Sequence, residues 1–167
     1  MNGEQNLDTV LSAIAEKGEA VCRTKGFSML PMLKEGRDIS VLAALPEKLK
    51  PGDVVLFVRP HRDNELVLHR IVKIPSADRF LIRGDNTFWD EPVKPENIKA
   101  VLKSFFRKGR HIDCASSKGY KVYTFYQLRL YFLRKFFFCT LRAFAAKIKN
   151  KVFHLNNLHL DDILGRK

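Results

Sequence analysis

The chain has 167 residues and a mass of 19.3 kDa, room for one compact domain and a modest appendage. At 46% hydrophobic and 29% charged residues it is too apolar for a disordered polymer. The net charge of +12 is lopsided: residues 1–115 hold nineteen basic and sixteen acidic side chains, residues 116–167 eleven and two, which argues against nucleic-acid binding over the whole surface and sets the last third apart.

Leu7, Val10, Leu11 and Ile14 recur at helical spacing, with Asn6 or Asp8 as N-cap and Gly18 as a stop. Residues 1–19 therefore read as one amphipathic helix, too little for a helix-turn-helix domain. Residues 2–8 are polar and acidic and do not read as a secretory signal. From Ala20 to Asp113 the texture is different. The apolar runs Ile39–Ala43, Asp53–Val58, Leu66–Ile74, Phe80–Arg83 and Ile98–Phe106 alternate with Pro, Gly and Asp punctuation. This predicts a mainly β body built on a curled or partly closed sheet. Residues 114–119 read as a polar hinge, and 120–167 as a basic, aromatic tail with helical character to about Lys151.

Cys22, Cys114 and Cys139 match no zinc or redox spacing. Neither a disulfide framework nor a metal site is expected, and no cofactor is implied.

Three stretches in the β body carry chemistry. Ser28 stands in Gly26-Phe27-Ser28-Met29-Leu30-Pro31-Met32-Leu33, on a turn among apolar neighbours. A serine hydroxyl becomes a nucleophile when a base takes its proton. His69 lies in the run Val67-Leu68-His69-Arg70-Ile71-Val72, and a neutral imidazole is the usual base. Asp85 in Arg83-Gly84-Asp85-Asn86-Thr87, or Asp90 five residues on, could orient that imidazole and stabilise its cation. Singly, each has a plainer reading as a turn residue, a packed strand histidine or a turn aspartate.

Together, their order and spacing resemble the signal peptidase clan of serine peptidases, which also contains the LexA-like self-cleaving repressors. The first box of that clan, Ser-Met-x-Pro-x-Leu followed by Gly-Asp, is matched by Ser28 to Leu33, with Gly36-Arg37-Asp38 carrying one inserted residue. Gly52-Asp53-Val54 matches the second box and Gly84-Asp85-Asn86 the last. Bacterial leader peptidases carry a lysine base before an arginine and two aliphatics. Here His69-Arg70-Ile71-Val72 is similar to the endoplasmic reticulum and archaeal type, with serine–histidine chemistry.

The resemblance spans residues 20–105 and implies a signal-peptidase-like β domain that hydrolyses signal or leader peptides through an acyl-enzyme. It assigns Ser28 as nucleophile, His69 as base, Asp90 ahead of Asp85 as triad acid, and the Ser28 backbone N–H as an oxyanion donor. The substrate is an extended peptide or preprotein, with Met29, Leu30 and Met32 either lining its pocket or serving as core. The chain departs from the pattern in having Gly26 where a serine commonly helps hold the oxyanion. Its two aspartates are also five apart rather than six.

In the tail, the window 125–144 contains ten Leu or Phe residues, favouring insertion by about 3–6 kcal/mol, against about 5–7 kcal/mol for Arg134 and Lys135. A helix lying in the interface fits better. Phe125, Phe132, Leu133, Phe136, Phe137 and Phe144 share a face, and Arg134, Lys135, Arg142 and Lys149 gather opposite. Membrane-surface contact through residues 120–151 is thus expected, at a peripheral, cytoplasmic-side location, with nucleic acid a lesser candidate. The alternatives are a non-catalytic module that keeps the peptidase fold, and a LexA-like self-cleaving regulator. The latter lacks an Ala-Gly or Cys-Gly cleavage pair.

Overall fold

A computed structural model describes residues 7–59, 61–62, 64–133, 135–137 and 140. The molecule is mainly β, with a short N-terminal helix and an eight-stranded antiparallel sheet that does not close into a barrel. Helix α1 (Leu7–Lys17) buries Val10 and Ile14 and ends at Gly18, whose positive φ of 76° suits the reversal after a last turn.

The strands are β1 (Glu19–Arg23), β2 (Ile39–Ala43), β3 (Val54–Arg59), β4 (Glu65–Ser76), β5 (Arg79–Arg83), β6 (Glu91–Val93), β7 (Ile98–Arg107) and β8 (Arg110–Asp113). Their order across the sheet is β1-β2-β7-β3-β4-β5-β6, with β8 paired to β7. Five of them follow the apolar runs of the sequence. The other three, β1, β6 and β8, each pair with a single neighbour.

Successive residues of a strand face opposite ways, so a sheet covered on both sides acquires two cores. One core gathers Val10, Ile14, Met29, Met32, Leu33, Leu42, Val54, Leu56 and Leu102. The other gathers Val55, Phe57, Ile71, Phe80, Ile82 and Ile98. In β3 the alternation is direct, with Val54 and Leu56 in the first and Val55 and Phe57 in the second.

Beyond β8, Ser116 caps the Asp113 carboxylate through its N–H and hydroxyl, each at 2.7 Å, and α2 (Lys118–Arg129) begins. Within the expected hinge at 114–119, residues 114–116 form a turn and Lys118 and Gly119 already belong to α2. The chain divides into two compact units after Leu128, so most of α2 belongs with the sheet. In the second unit, 131–133 and 135–137 are helical. The interfacial face predicted further on, including Arg134, Arg142, Phe144 and Lys149, lies outside the described residues. Among the described residues, no helix is long and apolar enough to cross a membrane.

Candidate active site

Ser28 lies on the turn between β1 and β2, half-buried. The turn is held from three directions. Leu30 N–H donates to Phe27 O at 3.2 Å, and Leu33 N–H to Met29 O at 2.9 Å. Met29, Met32 and Leu33 anchor it in the core. From the turn after β5, Asn86 N–H donates to Ser28 O at 2.7 Å and Asn86 Nδ2 to Phe27 O at 3.2 Å. The residue after Gly84-Asp85 thus fastens the serine turn to the end of β5.

His69 sits in the middle of β4, opposite Val55 on β3 and 4% exposed. The meeting point of serine and histidine is Gly84. A Cβ built there would stand 3.0 Å from His69 Nε2, 3.0 Å from Ser28 Cβ and 2.7 Å from Ser28 O. Real Cβ atoms do not approach a carbonyl oxygen that closely, so glycine is required. Its φ is not positive, so space rather than backbone conformation makes the demand. The Ser28 Cβ and the imidazole Nε2 flank one small gap, no farther apart than twice 3.0 Å.

Burial, followed by the charge of Arg59, pulls the His69 imidazole down to about 4 from its ordinary 6.5, against weaker opposing pulls from Glu91, Asp85 and Glu65. It is therefore neutral at pH 7, the form that accepts a proton. The ring leans 6.0 Å from the Phe57 ring, centroid to centroid. Its Nδ1 is buried and bonds to nothing among the described residues.

That observation corrects the expected triad. Asp90, the favoured triad acid, accepts a bond from Arg83 Nη1 at 2.8 Å and is part of an ion pair at the surface. Asp85 is buried, and both its oxygens are engaged by Arg70, whose Nε and Nη2 each donate at 2.8 Å. Tyr123 O–H adds a third bond to Asp85 at 2.9 Å. Each aspartate answers an arginine from the motifs themselves, Arg70 after the histidine and Arg83 before the glycine. Neither bonds to His69.

Arg70 is almost fully buried. Beyond Asp85, its Nη1 donates to Gly52 O at 2.8 Å and to Thr124 Oγ1 at 3.1 Å, and its Nη2 points to Met32 Sδ at 3.2 Å. Burial works against its charge, but the bidentate carboxylate outweighs it and holds the guanidinium firmly charged. The Tyr120 and Tyr123 rings lie 5.5 and 5.6 Å from the same guanidinium. Burial, then the Asp85 charge, pushes the Tyr123 phenol well up, so it stays a donor. The helix rests on Gly52, where a Cβ would come within 2.8 Å of Thr124 Cγ2 and where φ is 105°. Arg70 and Asn86 stood in the motif boxes without an assigned role, whereas Tyr120, Tyr123 and Thr124 reach the site by long-range pairing, which no local pattern carries.

Ser28 and His69 open onto a cleft of about 1240 Å³. Its walls are residues 22–29 on one side and the β3–β4 hairpin on the other. Met29 lines it. Leu30 and Met32 do not, and Met32, 1% exposed and packed beneath Arg70, takes the core alternative. The Ser28 N–H meets no acceptor among the described residues. At Gly26, where φ is 81° and the space is open, no side chain can help an oxyanion. No three metal-ligating side chains gather among the described residues. No protein-family model matches the chain, and no curated protein matches it in sequence.

Proposed function

We propose that this protein is a serine endopeptidase of the signal peptidase type, cutting a peptide bond in signal or leader peptides with a Ser28–His69 pair. The observation that carries the reading is the convergence on Gly84 of Ser28 Cβ and His69 Nε2, two residues that line an open cleft. In this reading the sheet belongs to the type found in signal peptidases and LexA-like proteins, and the body works at a membrane surface through the basic, aromatic segment 120–151.

The chemistry follows from the protonation states. Neutral His69 takes the Ser28 Oγ proton at Nε2 as Oγ attacks the scissile carbonyl. The Ser28 N–H faces the developing oxyanion. The imidazolium then returns its proton to the departing amine, leaving an acyl-serine. Water, deprotonated by the same nitrogen, releases the carboxylic product. Among the described residues no carboxylate meets the His69 Nδ1, so the pair works as a dyad, with Asp85 acting only at a distance through the field.

Cleavage of leader-type peptides in detergent by wild type, Ser28→Ala and His69→Ala tests the reading. Each variant is expected to lose at least about a thousandfold in kcat/KM. Asp90→Asn is expected to stay within about tenfold of wild type, where a triad aspartate would cost about ten-thousandfold. Equal activity in all proteins would contradict the reading. The rival is a non-catalytic peptide- or membrane-binding module. What favours it is the bare His69 Nδ1 together with Gly26 in place of an oxyanion donor.

A further inference from the structure

We infer that the cleft selects acidic peptide segments, with carboxylate side chains within about five residues of the bond at Ser28. The inference rests on the peptidase reading for the position of the cut, but its recognition chemistry stands on the cleft itself. Among the described residues the cleft wall carries Arg23, Lys25, Arg59, Arg62 and Lys99, against Asp8 and Glu65. Glu65 is already engaged by Arg59 Nη1 at 3.0 Å, and Arg59 is further neutralised by two bonds to Glu91 at 2.7 and 2.6 Å. The balance left for a ligand is cationic.

Position adds direction to that balance. Arg23 and Lys25 are both exposed and Thr24 between them is half-buried, the alternation of extended chain that sets two cations side by side on the wet face. They stand five and three residues before Ser28, and each residue of extended chain spans about 3.3 Å. Arg62 is exposed on the opposing hairpin. The nearest further carboxylate on the turn, Glu35, accepts the Gly26 N–H at 2.9 Å and does not line the cleft.

Apolar contact is supplied by the exposed rings of Phe27 and Trp89 on the cleft wall. A peptide with carboxylates on its edge and apolar side chains against these rings would satisfy both surfaces, whereas a lysine-rich peptide would meet like charge.

The test uses full-length Ser28→Ala, which binds without turnover, and fluorescein-labelled twelve-residue peptides. The peptides are identical except for three positions set to Glu, Gln or Lys. Anisotropy is expected to give the Glu peptide at least tenfold tighter binding than the Gln peptide, with the difference shrinking in 0.5 M salt. Adding Arg23→Glu and Lys25→Glu is expected to reverse the order, so that the Lys peptide binds best. Equal affinities across the panel would overturn the inference, as would an acidic preference that survives the charge reversal. Loss of binding to phosphatidylserine vesicles on the same reversal, without any peptide preference, would assign these cations to lipid and also overturn it. An intact acidic preference alongside a wild type that cuts none of the peptides would support the inference while contradicting the peptidase reading. Cleavage of all three peptides at equal kcat/KM would do the opposite.

Discussion

Gly84 is where the account is most exposed to a single atom. The gap it leaves lets the Ser28 turn sit against His69, and one methyl would collide with Ser28 O at 2.7 Å and with the imidazole at 3.0 Å. Gly84→Ala is expected to lower kcat/KM about a hundredfold, because displacement of a nucleophile by about an ångström costs that much. Far-UV circular dichroism should remain unchanged. His69 makes a second prediction. Its folded pKa of about 4 lies below the ordinary 6.5, so the unfolded chain binds more protons between those values. Its contribution to stability is present above pH 6.5, falls as pH drops through the window, and is gone below about 4, amounting to about 3 kcal/mol. Urea unfolding at pH 7 and pH 5 should show about 2 kcal/mol of this loss, and His69→Gln should flatten it. The same shift places the acid limb of kcat/KM near pH 4 rather than 6.5. A limb at 6.5 would mean that the imidazole is wetter than its burial implies.

At the scale of elements, α2 does what the motifs alone do not suggest. It holds the layer beneath the site: Thr124 and Tyr120 meet Arg70, and Tyr123, steadied by Gln127 Nε2 at 2.7 Å, meets Asp85. Removing the Asp85 carboxylate would leave a buried guanidinium uncompensated, so Asp85→Ala is expected to cost about 3–5 kcal/mol in chemical denaturation. Tyr123→Phe should cost about 1 kcal/mol. A chain ending at Ser117 should be far less stable than one ending at Leu128, since only the shorter one uncovers Arg70; similar denaturant midpoints would contradict that role for α2.

Legibility from sequence divides along the same physical line. Strands paired on both edges announced themselves as apolar runs, and Ser28 and His69 stood in compact local boxes. The strands β1, β6 and β8 did not. Each is paired on one edge only, and Glu91-Pro92-Val93 and Arg110-His-Ile-Asp113 lack the burial that produces a pattern. The partners of Asp85 and Asp90 were invisible because Arg70 and Arg83 reach them through the fold. In α2 the packed face is Tyr120, Tyr123 and Gln127, a polar-tipped set with no apolar periodicity to announce it, while Val122 and Phe125 point outward, 69% and 59% exposed.

For the whole molecule, charge and exposure fall into two regions with different work. The first compact unit carries the cleft and exposes Val122, Phe125 and Tyr126, and the second by itself exposes Phe132, Phe136 and Phe137. Exposed rings in a basic segment suit the headgroup region of anionic membranes. Flotation with phosphatidylserine liposomes should carry the full chain upward and leave Phe125→Ser/Phe132→Ser/Phe136→Ser largely behind; equal flotation would return these rings to a structural role. The central claim, that folding makes the Ser28 hydroxyl nucleophilic through His69, is tested most directly by a fluorophosphonate probe and mass spectrometry of the intact protein. One adduct is expected, on Ser28, formed at least a hundredfold more slowly in His69→Ala and unchanged in Asp90→Asn. Failure to label Ser28, or labelling at the same rate without the imidazole, would contradict it.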